Sequence, residues 1–403
     1  MSGTARGTAG PAPLSSLGDP AVIPDPYPLL AKMREASPFT EFSGALVVYG
    51  KYADCSRILR DPRASSQRHR SLLARFRPDQ ASRVRSFLSL DAPDHTRLRR
   101  LVSQAFTPRV VAALSGRISQ ITDELLTSAG KAGGDELELV GSLAYPLPLR
   151  IICELLGVPP GDQLTFAAWS ASMAHSVQPG FGDQGKPGET DRAFAEFREY
   201  FSEMIAARRS HPGDDLLTKL IRAEDEGQRL TVDEIISTLL LLLVAGHETT
   251  ASLISNAMLA LLRHPDQLAA LTADPGLATQ TVEETLRYDP PVQLTSRVST
   301  GGMTTRDSVI LMLLLSAANR DPAVFADPDV FDITRGSGEH LAFSAGPHFC
   351  LGTPLARLEG AIALRAIATR IVRPRLDPGS LVYKPNYNLR GPERMVIKFD
   401  QIR

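Results

Sequence analysis

The chain has 403 residues, enough for one large domain or two or three small ones. Its 44 Lys and Arg nearly balance 45 Asp and Glu, and 43% of residues are hydrophobic, so composition argues against nucleic acid as the main partner and for an ordinary soluble globular protein. Three cysteines, Cys55, Cys153 and Cys350, are too few and too odd in number for a disulfide framework and fit a reducing, cytoplasmic setting.

The first twenty residues, MSGTARGTAGPAPLSSLGDP, are small, polar and rich in Pro and Gly. They predict a disordered lead-in with no apolar core of a signal peptide, leaving 21–403 as a single domain. YPLLAKMREAS reads as a helix and TEFSGALVVYG as a hairpin with Gly44 near its turn. The segment DHTRLRRLVSQAFTPRVVAALSGRISQITDELL reads as two helices broken near Pro108. YPLPLRIICELLGV is a further helix, stopped by Gly157 and the prolines after it. Cys55 in YADCSRIL and Cys153 in RIICELLG have apolar neighbours at helical spacing and read as core thiols. LTFAAWSASMAHSV is apolar, and the Gly-rich DQGKPGETD between two helical segments reads as a mobile lid. The longest helical pattern is TVDEIISTLLLLLVAGHETTASLISNAMLALLRH. Thr231 predicts its N-cap and Glu234 a capping box. It is apolar on nearly all sides, so it should cross the core. The apolar runs Leu239–Ala245 and Val309–Leu315 are too short to span a bilayer. Beyond the hairpin, strand-like pieces appear around 291–315 and 380–400. The expected fold class is mainly α with minor β.

The central helix poses a question. After Leu239–Ala245 it carries Gly246, His247, Glu248, Thr249 and Thr250, and a buried charge is costly unless paired or used. His247-Glu248 begins like a zinc-hydrolase H-E-x-x-H, but position 251 is Ala, so the second ligand is absent. One reading is a polar stripe with threonines bonded back to the preceding turn. The other is a proton relay beside a flat cofactor, with Ala245 and Gly246 leaving room for it. Cys350 lies between the turn-forming FSAGPHF and a long helical pattern. A lone Cys cannot hold structural zinc, which takes about four ligands, but it can serve as the single axial thiolate of a haem.

Five stretches, DAPDHTRLRRLVSQAFTPR, AGHETT, EETLR, AANRDP and HLAFSAGPHFCLGTPLARLE, occur in an order and spacing that resemble a cytochrome P450 of the soluble bacterial type. The resemblance runs from about residue 20 to the end and implies that family's fold, a helix-rich single domain enclosing haem b between the central helix and a cysteine loop. It implies that Cys350 is the thiolate ligand of the iron and that Glu248 and Thr249 are the acid–alcohol pair delivering protons for oxygen reduction. His247 would face away as a structural residue. His95, Arg99, Arg297 and His348 would receive the haem propionates, with Ala245, Gly246, Phe343 and Gly352 against the macrocycle. Glu284 and Arg287 would be the structural pair bracing the cysteine loop. Leu241, Val244, Val292, Leu294 and Leu389 would line an aliphatic substrate pocket suited to an apolar or amphipathic small molecule.

The resemblance further implies O2 as co-substrate, electrons from NAD(P)H through a separate ferredoxin or flavodoxin and its reductase, no membrane, and a monomer. Arg97, Arg100 and Arg109 would form a basic surface for that partner. The chain departs from the family at three places. Val330 stands where a third cation is usual, with Arg335 or Arg320 as substitutes. Ser344 stands where Gly is usual. The segment after Arg297 is shortened, without the common acidic pair and Pro-Ala-Gly turn. Rival expectations are a peroxide-driven haem enzyme, a non-catalytic haem-bound ligand-binding protein, and a haem-free helical scaffold.

Overall fold

A computed structural model describes residues 12–67, 86–104, 106–131, 133–177, 188–225, 227–304, 308–336 and 338–403. The helices are α1 (Tyr27–Ala36), α2 (Tyr52–Arg60), α3 (Asp94–Ser103), α4 (Pro108–Ala113), α5 (Ser115–Lys131), α6 (Pro146–Leu156) and α7 (Gln163–Val177). They continue as α8 (Glu189–Ser210), α9 (Leu216–Arg222), α10 (Val232–Arg263), α11 (Pro265–Ala273), α12 (Ala278–Tyr288), α13 (Leu315–Ala318) and α14 (Thr353–Arg370). The segment 94–131 thus holds three helices, not two. Pro108 starts α4 with Thr107 as its cap, and a second break at Leu114 separates it from α5.

Helix α10 is the axis of the molecule. Thr231 and Glu234 form the predicted capping box. The helix packs on α6, α7, α12 and α14, and side chains such as Leu240 and Ile254 are fully buried. Truncating either to Ala would cost about 2–5 kcal/mol. By length and hydropathy α10 would cross a membrane, but it is a core helix, buried by its neighbours. Its hydroxyls donate to carbonyls one turn back: Thr238 to Glu234 O, Thr249 to Ala245 O and Ser255 to Ala251 O, at 2.7, 2.7 and 2.8 Å. That is how a nearly all-apolar environment tolerates them.

Beside this helical mass lies a five-stranded sheet in the order β1-β2-β8-β7-β3. The strands are β1 (Phe39–Glu41), β2 (Leu46–Tyr49), β3 (Ala64–Ser65), β7 (Leu294–Ser299) and β8 (Ile310–Leu314), with β2–β8 the parallel pair. The predicted hairpin is β1–β2, and β7 pairs β8 from Leu294↔Leu314 to Val298↔Ile310. Short pieces complete the set: β4 (Glu136–Glu138), β5 (Glu224–Asp225), β6 (Gln228–Arg229), β9 (Ile371–Val372), β10 (Arg375–Leu376), β11 (Val382–Tyr383), β12 (Pro392–Arg394), β13 (Val396–Lys398) and β14 (Gln401–Ile402). Most of these lie outside the expected β regions, because two or three residues leave no period-two pattern.

The expected lead-in is shorter than twenty residues. Leu14–Gly18 forms a 3-10 turn whose Leu14 and Leu17 are buried with Leu30, Met33 and Leu314. Leu14 N–H donates to Glu41 Oε1 at 2.6 Å. Of the expected lid, residues 183–187 lie outside the described residues, and Gly188 (φ +84°) leads into α8.

Candidate active site

The cysteine loop runs from His340 to Gly352 and ends at the N-terminus of α14. Gly346 has φ +66°, and a Cβ there would meet Leu59 O at 2.5 Å, so glycine lets the loop lie flat against α2. Cys350 N–H donates to Phe343 O at 2.9 Å, closing the loop. Phe343 is buried, packed against Phe349 and under the Arg357 guanidinium. Cys350 is solvent-accessible although the chain packs around it on most sides, so it lines a recess. Burial raises its pKa. The amides of Gly352 and Thr353, the Thr353 hydroxyl and Arg99 act in the opposite direction, favouring thiolate. Cys55 and Cys153 are fully buried core residues, as expected.

Four basic groups converge beside this loop. The His95 and His348 rings lie 4.3 Å apart. Arg99 donates to Phe349 O, and Arg297 reaches Thr295 Oγ1 at 3.3 Å and Ser296 O at 2.8 Å. Their mutual field is unfavourable. Burial and then Arg297, His95 and Arg99 push His348 down to about 3, and burial pushes Arg297 down to about 10. His95 Nε2 is buried without a hydrogen-bond partner. Such a cluster fits an anionic group, and the propionates of a haem whose iron meets Cys350 satisfy both features. Asp91 supports the cluster: it accepts from Ser66 N, and Ser66 Oγ lies 3.1 Å from His348 Nε2. Sequence reading gave no role to Asp91, although it opens the stretch DAPDHTRLRRLVSQAFTPR, and missed Ser66, which no motif marks.

On α10, Thr249 and Ala245 share one face. Gly246 is exposed on this otherwise buried helix, and a Cβ there would have Ile152 of α6 as its nearest neighbour at 3.6 Å, in ordinary contact, so open space lies beside it. His247 is fully buried, its Nδ1 2.6 Å from Leu243 O and its ring against Tyr145, in the structural position expected. Glu248 Oε2 accepts from Lys384 Nζ at 2.6 Å, and His247 Nε2 stands 3.8 Å from Oε1. Lys384 had no signal in the sequence.

The pocket residues are only partly brought together. Leu241 and Val244 lie in the cluster that holds Phe166, Trp169 and Phe197, where the apolar segment 164–173 also serves as core between α7 and α8. Val292 and Leu389 meet in a β-bridge. Leu294 faces away, into the N-terminal cluster with Leu14 and Leu30. Strand alternation instead puts Thr295 on the side of Arg297. Arg97 also departs from its expected role: it pairs with Glu234 of α10, while Arg100 and Arg109 are exposed.

Glu284 and Arg287 form a buried bidentate pair at 2.8 and 2.7 Å. Arg287 also donates to Asn319 O, Pro328 O and Val330 O at 3.2, 2.7 and 3.0 Å. The third cation is Arg335, whose Nε lies 3.3 Å from Glu284 Oε1 and whose Nη2 donates to the carbonyl of Val330. Arg320 is used elsewhere, stacked on Tyr27 and Tyr288. Ser344 takes φ +62°, the left-handed conformation that a glycine adopts without strain, and its hydroxyl is buried without a partner.

A lone accessible thiol, a basic cluster for carboxylates and a long helix with an acid–alcohol pair define a haem-thiolate oxygenase. Comparison with known proteins agrees. The cytochrome P450 family model matches residues 186–274 and 276–370. Cytochrome P450 monooxygenase PikC of Streptomyces venezuelae is 40% identical over 99% of this chain and 97% of its own length. Vitamin D(3) 25-hydroxylase of Pseudonocardia autotrophica is 37% identical over 93% of each. Ligand-free CYP164A2 of Mycobacterium smegmatis superposes with a TM-score of 0.87 at 44% identity, covering 96% of this chain and 99% of that one. The chain belongs to the cytochrome P450 family and is a haem-dependent monooxygenase that uses O2 on a small molecule. The three rival expectations have no support.

Proposed function

We propose that Cys350 is the axial thiolate, that His95, Arg99, Arg297 and His348 hold the propionates, and that Glu248 and Thr249 conduct protons. The observation that carries this reading is the convergence of the four basic groups beside the one cysteine that is accessible and capped by a helix N-terminus. Bound haem supplies the activation of dioxygen. The protein's own part is to stabilise thiolate charge with the Gly352 and Thr353 amides and Arg99. It also admits protons where bulk water is excluded. Thr249 is held to Ala245 O, so its hydroxyl oxygen stays free to accept a proton from the Glu248 side.

Electrons come from NAD(P)H through a ferredoxin or flavodoxin and its reductase, with Arg100 and Arg109 on the docking face. The protein works in the cytoplasm as a monomer. The aliphatic Leu241, Val244, Val292 and Leu389 favour a sizeable apolar or amphipathic substrate, such as a macrolide, terpenoid or steroid, hydroxylated or epoxidised in natural-product metabolism or catabolism.

The test is the reduced carbon monoxide difference spectrum. Wild type gives the far-red Soret band of thiolate-ligated haem, and Cys350→Ser loses it. The same band in Cys350→Ser would overturn the ligand assignment. Thr249→Ala keeps the band and diverts most consumed oxygen to hydrogen peroxide; unchanged peroxide release would remove Thr249 from the relay.

A further inference from the structure

The four basic groups of the recess come from three places in the chain: His95 and Arg99 from α3, Arg297 from β7 and His348 from the cysteine loop. Asp91 joins all three. Its carbonyl accepts from His95 N–H at 2.9 Å, so it opens the turn of α3 that carries His95. Its carboxylate grips the segment from Ser65 to Gln67. Ser65 Oγ donates to Oδ2, and the N–H groups of Ser66 and Gln67 donate to Oδ1 at 2.9 and 3.4 Å. Asp91 N–H returns a bond to Gln67 Oε1 at 3.4 Å. Ser65 in turn pairs with Val298 in the β3–β7 ladder, next in the chain to Arg297. Ser66 is buried, and its hydroxyl lies 3.1 Å from His348 Nε2. Of the described charged groups that act on His95 and Arg297, Asp91 is the one acid.

We propose that Asp91 is a positioning residue for haem: it fixes Ser66 against His348 Nε2, and His348 then presents Nδ1 to a haem carboxylate. This rests on the reading of His348 as a propionate partner given above. With Nε2 engaged by Ser66, Nδ1 is the ring nitrogen left to donate, and it has no partner among the described residues. An imidazole that acts through one nitrogen is oriented by the bond at the other. Without that bond the His348 ring is held on this side only by its contact with His95, 4.3 Å away. The basic groups repel one another before haem arrives. A linkage that fixes them in advance lowers the cost of ordering the site when its anion binds. Three donors converge on the two Asp91 oxygens, so the residue acts through hydrogen bonds.

The experiment loads the full chain with haem b and reads three quantities. They are the rate at which haem passes to excess apomyoglobin, the propionate bending band in the resonance Raman spectrum, and the thermal midpoint of the haem-free protein. Ser66→Ala should speed haem transfer about tenfold, the scale for losing an outer partner of a ligand-holding histidine. It should also shift the propionate band while the haem-free midpoint stays at the wild-type value. Ser66→Thr, which keeps the hydroxyl, should restore both. Asp91→Ala should shift the same band and release haem at least as fast. Asp91→Asn should hold the wild-type band, because its amide oxygen accepts from the two N–H groups and the Ser65 hydroxyl turns to accept from its nitrogen. His348→Ala sets the reference, and Ser66→Ala added to it should bring no further change. Where Asp91→Ala fails to fold, Ser66→Ala still decides, since Asp91 acts through it. If His348→Ala shifts band and rate while Ser66→Ala leaves both at wild-type values, the role of Asp91 is overturned and the propionate reading stands. A Ser66→Ala variant whose haem-free midpoint drops while its band holds would assign the linkage to folding and overturn the proposal as well. If His348→Ala itself changes neither band nor rate, both readings fall.

Discussion

Two acids sit on adjacent packed helices of this protein, Glu284 on α12 and Glu248 on α10, and their surroundings differ in kind. Glu284 is 3% exposed and accepts from both arms of Arg287, from Asp332 N and from Arg335. Its cations are guanidinium forks pinned in turn by carbonyls of the segment that follows α13, from Asn319 to Val330. Glu248 is 12% exposed and meets an ammonium that arrives on a flexible stem from a hairpin. Rigid, multiply bonded charge makes structure, because removing any member leaves the others buried and unpaired. A carboxylate held by one ammonium on a long unbranched stem is fixed less rigidly than one gripped by guanidinium forks. The first ties α12 to the segment that follows α13, and the second is the acid proposed above for proton delivery.

The comparison breaks most visibly at Arg287. Arg287→Leu leaves Glu284 without its bidentate partner and should cost about 3–5 kcal/mol of unfolding free energy, with haem lost on purification. Urea unfolding and the ratio of haem to protein absorbance check it. Arg335→Ala, at a position 17% exposed, should cost less, about 1–2 kcal/mol, with haem retained. Equal losses would mean that the third cation is an equal member of the clasp.

Acid sharpens the same contrast. Burial raises the pKa of Glu283, but His340 Nε2 at 3.3 Å and Arg357 Nε at 2.6 Å outweigh it and hold Glu283 at about 2, below its ordinary 4.5. A depressed carboxylate contributes stability that is present above 4.5 and lost as pH falls toward 2. Glu283→Gln should therefore be less stable than wild type by about 2–3 kcal/mol at neutral pH. That gap should close across this acid window in unfolding experiments run from pH 6 downward. A gap independent of pH would show that Glu283 acts by packing and not by charge.

The smallest expected effect has the opposite sign. Ser344→Gly relieves a left-handed residue and removes a buried unpartnered hydroxyl, so it should stabilise by about 1 kcal/mol. A loss of stability, read as a lower thermal midpoint, would mean that Ser344 makes a compensating interaction once haem is bound.

The sequence alone determined a good deal of this protein. The capping box at Thr231, the length of α10, the Gly157 helix stop, the thiolate loop ending in a helix and the Glu284–Arg287 spacing are all local. Each depends on residues within a turn or two of one another, so the linear pattern carries it. Other features were decided by tertiary structure alone. Lys384 reaches Glu248 across 136 positions because Gly391 lets a hairpin touch α10. Arg335, not Arg320, completes the clasp because Arg320 is drawn between two tyrosine rings. Thr295 replaces Leu294 beside Arg297 because a strand flips its side chains at every residue. In each case the partner lies far away in sequence, and geometry between elements, which no local spacing encodes, makes the choice.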